Sequence, residues 1–200
     1  MITLPAPCLM ILTDRTVVNP IWTLAQAVAT SITGGANFVV FRETDLPTTP
    51  RNTVLEFVTK AVRGRTPLVV MATNADSAVE DSYGVHFEGD ISGIDRCNRL
   101  ENQLVGVTVS SLNEIAVAES ASADYLLAYF DWTFPEQSLL ALKKYVDASR
   151  IPLVVGVDVP KEYVKDIMSM GATGIAISFA ACGAYDKTSE SAAYWDLMTS

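Results

Sequence analysis

The decisive stretch of this 200-residue chain runs from Gly34 to Asp45 and reads GGANFVVFRETD. Gly34 and Gly35 can adopt the positive φ angles that end a helix, and the apolar run 38–41 lacks alternation, which is typical of a strand covered on both faces. Charged side chains begin directly after that run, at Arg42. Because ligands bind at the carboxyl ends of parallel strands, this charged cluster is a candidate binding site. The alternative is a solvated strand-end loop.

Length, composition and charge favour one soluble domain spanning residues 1–200. Half of the residues are hydrophobic, and the apolar stretches are shorter than the roughly 18 residues that span a bilayer. A formal net charge of -9 argues against nucleic acid or an anionic membrane surface as a partner. The amino terminus lacks the basic segment of a signal peptide, so we expect a cytoplasmic protein. Cys8, Cys97 and Cys182 have no metal-ligand spacing and are expected to be reduced core residues.

Small residues followed by an apolar run recur along the chain, with helical stretches between them. This is the joint between a helix and a buried strand in a repeated βα unit. Eight strands are predicted, around residues 8–12, 35–40, 67–71, 83–87, 104–109, 123–127, 152–156 and 171–177. The third and fourth outer elements, between residues 72 and 83 and between 88 and 101, are expected to be short. Eight strands predict an α/β fold with a single (β/α)8 (TIM) barrel, and an open doubly wound sheet is the alternative.

In such a barrel, the residues that follow each strand assemble one mouth at the carboxyl-terminal face. They are Thr13-Asp14-Arg15, Arg42-Glu43-Thr44-Asp45, Ala72-Thr73-Asn74, Glu88-Gly89-Asp90, Thr108, Ser110 and Ser111, Tyr129-Phe130-Asp131-Trp132, Asp158 and Ser178. This mostly acidic set suits a divalent cation, or a cationic or sugar-like ligand, better than a bare phosphate. An alternative role for Asp14, Asp45 and Asp131 is to cap turns or helices. An alternative role for Arg42 is to form an ion pair with Asp14 or Glu43.

Two further features have both structural and functional interpretations. His86, the only histidine, lies within a predicted strand, and a hydrogen-bonded structural imidazole is the preferred interpretation over a catalytic one. The aromatic residues between Tyr129 and Phe134 could stack on a ligand, pack internally or form an oligomer contact. We favour the oligomer contact, because aromatic residues are enriched at such surfaces.

Several of these segments together resemble the thiamine phosphate synthases and their thiazole tautomerase relatives, the TenI group. The matching segments are 12–15 (LTDR), 40–45 (VFRETD), 84–87 (GVHF), 105–108 (VGVT) and 171–178 (GATGIAIS). Their order and spacing imply the family's (β/α)8 barrel over most of residues 8 to 182. The resemblance also implies thiamine metabolism, in which the synthases join a pyrimidine pyrophosphate to a thiazole phosphate with the help of magnesium.

The resemblance assigns roles residue by residue, and most family groups are replaced here. Thr44 stands in the position of the family's pyrophosphate-binding Lys, and Ser110 in that of the tautomerases' His. Met71-Ala72 replaces Asn-Asp, whose Asp binds metal, and Val157-Asp158 replaces the paired glycines whose N–H groups take the thiazole phosphate. The expected ligand contacts are Arg42, Thr108, Ser110, Asp158 and Ser178, and Asp90 is the expected magnesium ligand.

These substitutions predict that the family activity is weak or lost, as in a pseudoenzyme. We expect a small-molecule ligand at the carboxyl-terminal face of the barrel and a homo-oligomer. Two other functions stay open. One is a non-catalytic binding or oligomeric scaffold, and the other is an enzyme that acts on a different, non-phosphorylated ligand at the acidic mouth.

Overall fold

The computed structural model of the protein describes residues 3–72, 83–89 and 103–200. Eight parallel strands follow each other in chain order around a closed barrel. They are β1 (Cys8–Leu12), β2 (Phe38–Phe41), β3 (Leu68–Ala72), β4 (Gly84–Phe87), β5 (Leu104–Val109), β6 (Tyr125–Tyr129), β7 (Leu153–Gly156) and β8 (Gly174–Ile177). β1 pairs with β2 on one side and with β8 on the other. The predicted (β/α)8 barrel is therefore confirmed, and the open sheet is excluded because its first and last strands would not meet.

Helices cover the outside of the barrel. Those in the described ranges are α1 (Leu24–Thr33), α2 (Thr48–Val62), α3 (Leu112–Ser120), α4 (Pro135–Ala148), α5 (Val164–Ser169), α6 (Phe179–Cys182) and α7 (Lys187–Thr199). None of these described helices is long and apolar enough to cross a membrane. The two outer elements expected to be short fall mainly on residues 73–82 and 90–102, outside the described residues.

The first βα joint shows why two glycines precede β2. Gly35 has a φ of 108°, as predicted for the end of α1, and a side chain there would also press on Trp195. Gly34 instead has an ordinary φ of −82°. Its hydrogen is required because a Cβ atom would lie 2.3 Å from the carbonyl oxygen of Thr188. The two glycines therefore let α7 pack against the end of α1, which closes the outer layer.

Two apolar clusters fill the two sides of the strands. One lies between the sheet and the helices, and the other fills the barrel interior with alternate residues of each strand, including Met10, Val40, Met71, Leu127 and Ala176. Because side chains alternate along a strand, the inward series continues to the strand ends. On β4, β5 and β6 it brings Glu88, Thr108 and Tyr129 to the mouth at the carboxyl-terminal face.

Candidate functional site at the barrel mouth

An arginine and two carboxylates form the best-defined charged group of the mouth. The Arg15 guanidinium makes two 2.7 Å contacts with the Asp45 carboxylate and a 3.0 Å contact with Glu43. Glu43 is only 2% exposed and also accepts the backbone N–H of Arg15. The hydrogen bonds from Arg15 lower the pKa of Asp45, and those carboxylates raise the pKa of Arg15. Asp45 therefore serves as an ion-pair partner, and its predicted alternative role as a cap is wrong.

Arg42 lies beside Asp14 in the same rim. Its Nη2 atom is 3.6 Å from a carboxylate oxygen of Asp14, and both side chains are about one quarter exposed. Asp14 also accepts the backbone N–H of Thr16 at 2.9 Å, so the predicted capping role of this residue is confirmed. The backbone N–H of Arg42 donates to the Thr13 hydroxyl at 2.9 Å. Of the two partners considered for Arg42, the structure selects Asp14, because Glu43 is committed to Arg15.

These residues enclose a cavity of about 320 Å³ at the carboxyl ends of β1, β2 and β4. Its lining contains the carboxylates of Asp14, Glu43, Asp45 and Glu88 and the guanidinium groups of Arg15 and Arg42, together with Thr13, Thr16 and Thr44. Four negative groups face two positive ones. The cavity therefore favours a neutral or cationic ligand over an anionic one.

Arg51, which the sequence interpretation missed, also reaches this region. From α2 its guanidinium donates to the carbonyl oxygen of Met71 at 2.6 Å and lies 5.8 Å from the ring centre of Phe41. Burial lowers the pKa of Arg51, and the charge of Glu43 acts in the opposite direction. Arg51 belongs to the first turn of α2, and in a βα unit that end of the helix adjoins the mouth. This position is the feature that could have identified it.

Asp158 binds main-chain groups on the neighbouring βα loop. Its carboxylate accepts the N–H groups of Ser178 at 2.9 Å, Phe179 at 2.8 Å and Ala180 at 3.2 Å. Its φ is +51°, in the left-handed region that glycine adopts most readily. Ser178 is buried and contributes its N–H to this contact. The adjacent Val157 is partly buried and packs against the apolar cluster of the barrel interior.

Ser110 and Asp131 are engaged in local contacts. The Ser110 backbone N–H and hydroxyl both bind the Glu114 carboxylate, at 2.6 Å and 2.9 Å, at the start of α3. Asp131 accepts the backbone N–H of Thr133 at 3.0 Å. Hydrogen bonding by the Thr133 hydroxyl, and then by this N–H group, lowers the pKa of Asp131. The predicted capping role of Asp131 is thus confirmed. A ligand contact by Ser110 stays a prediction, and it would compete with Glu114.

His86 lies in the barrel interior and bonds through both ring nitrogens. Nδ1 is 3.0 Å from the Tyr125 hydroxyl, and Nε2 is 2.8 Å from the Thr108 hydroxyl. Complete burial lowers the pKa of His86 to about 3, so the ring is neutral at physiological pH. Gly106 leaves the room for this arrangement, because a Cβ there would lie 2.1 Å from the Tyr125 ring and 2.5 Å from Nδ1 of His86. The structural interpretation of the imidazole is confirmed.

Tyr129 stands above this group at the mouth, with 38% of its surface exposed. Its pKa is raised to about 12, first by burial and then by the charge and hydrogen bonding of Glu88, whereas Arg42 and Thr108 act in the opposite direction. The register of β5 and β6 places Tyr129 near Thr108 at the carboxyl-terminal face. Its ring also adjoins Gly156 of β7, where an added Cβ would come within 3.2 Å.

The aromatic residues after β6 pack within the chain rather than forming one exposed group. Phe130 makes an edge contact with Tyr145, and Trp132 stacks on Tyr163 at a ring-centre distance of 5.8 Å. Phe134 is 56% exposed. Phe130 and Trp132 thus have ring partners within the chain, and the preferred oligomer-contact interpretation of this loop stays a prediction. The homo-oligomer itself stays a prediction.

Comparison with known proteins decides the family. The family model described as thiamine monophosphate synthase matches residues 9–181. The chain belongs to the thiamine monophosphate synthase family. It is 31% identical to the thiamine-phosphate synthase of Clostridium beijerinckii over 193 residues, covering 89% of each chain. The thiamine-phosphate synthase of Pyrococcus furiosus is 27% identical over 188 residues, covering 89% of this chain and 88% of its own.

Solved structures show the same barrel fold. A thiamine phosphate pyrophosphorylase from Pyrococcus furiosus superposes with a TM-score of 0.82 at 25% identity, covering 96% of this chain and 95% of its own. KGPDC from Streptococcus mutans superposes with a TM-score of 0.75 at 11% identity, covering 96% of this chain and 97% of its own, which is a likeness of fold alone. The family relationship therefore extends over nearly the whole barrel.

Magnesium, which family membership implies, finds little support among the described residues. Within residues 3–72, 83–89 and 103–200, no group of three or more His, Cys, Asp or Glu side chains could hold a metal ion. The carboxylates of Glu43 and Asp45 are bound to Arg15, and that of Asp14 caps Thr16. Asp90, the predicted metal ligand, lies outside the described residues. The described part of the mouth does not fit the ion, and magnesium stays a prediction resting on Asp90.

Proposed function

We propose that this member of the thiamine monophosphate synthase family binds a non-phosphorylated small molecule, neutral or cationic, at its barrel mouth. We further propose that its synthase turnover is very weak or absent. Family membership places the protein in thiamine metabolism. The proposal concerns what the mouth of this particular chain accepts.

The contact of Asp158 with three backbone N–H groups carries the proposal. Main-chain N–H groups on adjacent βα loops are what a phosphate ester needs at the mouth of such a barrel. Here a carboxylate of the chain accepts those of Ser178, Phe179 and Ala180. A phosphate would have to displace Asp158, or stay close to its charge. Two like charges about 4 Å apart cost on the order of 4 kcal/mol at an effective dielectric constant near 20.

The charges of the neighbouring cavity support the same conclusion. The guanidinium of Arg15 is already bound to Asp45 and Glu43, and Arg42 adjoins Asp14. An incoming pyrophosphate would therefore compete with carboxylates for each of these cations. The net charge of the residues that line the cavity is negative, which favours ligands without phosphate.

A direct turnover assay tests the proposal. The protein is incubated with the pyrimidine pyrophosphate, the thiazole phosphate and magnesium, with the Clostridium beijerinckii synthase as the positive control. Removal of one charge-stabilising group typically costs about two to three orders of magnitude in rate. We expect product formation at least about a hundredfold slower than in the control. Turnover within about tenfold of the control would refute the proposal, because the site would then handle both phosphates.

A further inference from the structure

A second cavity lies beside the charged one, in the helix layer around the barrel. It has a volume of about 420 Å³ and is lined by the loop before α1, the first turn of α1 and the middle of α2. Most of its lining is apolar, and the apolar side chains are Val18, Trp22, Leu24, Ala25, Val54 and Phe57. Sites for small molecules typically have such a volume, such a lining and a small number of polar groups. We call this cavity the apolar pocket.

Arg15 lines both the apolar pocket and the charged cavity. Its guanidinium has five N–H donors in one plane. The contacts of Nη1 with Glu43 and Asp45, and of Nη2 with Asp45, occupy three of them. The Nε–H and the second N–H of Nη2 have no acceptor in the described part of the chain, and they share one edge of the plane. Arg15 therefore keeps a free two-donor edge that can hold an acceptor oxygen.

Two aromatic side chains of the apolar pocket already interact with ammonium groups. The Nζ atom of Lys187 lies 4.7 Å from the ring centre of Trp22, and that of Lys60 lies 6.0 Å from the ring centre of Phe57. Lys187 is only 1% exposed, so it contacts Trp22 from the protein side. A cation on one face of a ring draws on the negative charge that a second cation would need. These rings therefore suit a neutral aromatic partner better than a cationic one.

The charges around Arg15 also disfavour an anionic occupant. Glu43 and Asp45 bring two negative charges to within 3.0 Å of the single positive charge of Arg15. An anion at the free edge of Arg15 would meet a group whose net charge is negative, and it would gain no net attraction. A neutral acceptor oxygen can use the same two N–H groups without that repulsion.

We propose that the apolar pocket is a second ligand site, which takes a neutral aromatic or heteroaromatic molecule with an acceptor oxygen, such as a carboxamide. The ring of the ligand packs against Trp22 and Phe57, and its oxygen accepts hydrogen bonds from the free edge of Arg15. Phe57 is 60% exposed, so a ligand would cover an aromatic surface that now faces water. This site is separate from the charged cavity, and it stands whether or not the mouth accepts phosphate.

The first experiment locates the binding of benzamide by NMR. The sequence has three tryptophans, so the protein labelled with ¹⁵N gives three indole N–H signals, and Trp22→Phe identifies the one that it removes. In a titration up to about 10 mM, the Trp22 signal should shift saturably with a dissociation constant of about 1 mM. The signals of Trp132, which stacks on Tyr163, and of Trp195, which packs against Gly35, should not shift. No saturable shift of Trp22, or equal shifts of all three signals, would overturn the site.

The second experiment tests the ligand class with two charged probes of matched shape. Benzamidinium replaces the acceptor oxygen by donors and carries a positive charge, and benzoate carries a negative one. Each should bind at least about fivefold more weakly than benzamide, measured on the Trp22 signal. Equal or tighter binding of either probe would overturn the assigned chemistry.

Substitutions in the apolar pocket complete the test. Phe57→Ala should weaken benzamide at least about fivefold, whereas Phe134→Ala removes a similarly exposed phenyl group outside the pocket and should change the affinity less than about twofold. Arg15→Lys keeps the positive charge but loses the two-donor edge, and it should weaken benzamide about tenfold. Equal effects of Phe57→Ala and Phe134→Ala, or an unchanged affinity in Arg15→Lys, would contradict the proposal. Should Arg15→Lys fail to fold, the exposed pair Phe57→Ala and Phe134→Ala still decides.

Discussion

Replacing Asp158 by glycine should open the three N–H groups that its carboxylate now occupies. The residue makes hydrogen bonds of 2.8–3.2 Å to Ser178, Phe179 and Ala180 and holds a φ of +51°. Hydrogen bonds to a charged group contribute about 1.5–3 kcal/mol each, but water replaces part of this at the exposed Phe179. Glycine also relieves roughly 1–2 kcal/mol of left-handed backbone energy. We expect a net loss of about 2 kcal/mol in the free energy of unfolding.

Phosphate should recover part of that loss in the variant only. With a dissociation constant of about 1 mM, phosphate at about 10 mM would add roughly 1.4 kcal/mol, or about 3–6 °C in Tm for a chain of this size. In the unmodified protein, repulsion of about 4 kcal/mol raises the dissociation constant nearly a thousandfold, and the specific shift disappears. The assay is thermal unfolding with phosphate or thiazole phosphate, against potassium chloride of equal ionic strength.

Asp158→Asn is the matched control for this experiment. Asparagine tolerates the left-handed φ and keeps one acceptor, but it removes the charge. It should show a phosphate shift smaller than that of Asp158→Gly and larger than that of the unmodified protein. Equal shifts in all three proteins would show that the carboxylate does not govern phosphate binding, and the reasoning would be wrong. A folded Asp158→Gly protein with no shift would refute it as well.

Three further predictions concern stability. The pKa of His86 is about 3 in the folded state against 6.5 for a free side chain, so between these values the unfolded chain binds the extra proton and stability falls as pH decreases. In urea unfolding, the contribution of this group to the free energy of unfolding should be about 2 kcal/mol smaller at pH 5 than at pH 7. The substitution His86→Gln should remove this pH-dependent contribution. Arg15→Met leaves the buried carboxylate of Glu43 unpaired and should lower the free energy of unfolding in urea by about 2–3 kcal/mol. Arg15→Lys should lower it less, and equal losses in the two variants would contradict the pairing. Gly106→Ala places a methyl 2.1 Å from the Tyr125 ring and should destabilise the fold by at least about 1–3 kcal/mol, so an unchanged Tm would contradict the described packing.

The sequence by itself determined the barrel, because its elements are encoded locally. The uninterrupted apolar run 38–41 needs cover on both faces, and the glycines at 34 and 35 end the preceding helix, so each βα unit can be recognised within a short window. It also placed Arg42, Thr108, Asp158 and Ser178 at the strand ends, since a side chain after a parallel strand must lie at the mouth. The motifs along these strands were specific enough to name the family.

Only the tertiary structure decided which of these side chains meet. Arg15 lies beside Arg42 in the mouth, yet Arg15 takes Glu43 and Asp45, and Asp158 turns to backbone N–H groups at residues 178–180. Arg51 enters the same region from α2. Such partners are set by strand register and by the direction in which each loop leaves the barrel. These depend on the closed sheet as a whole, so no local pattern in the sequence contains them.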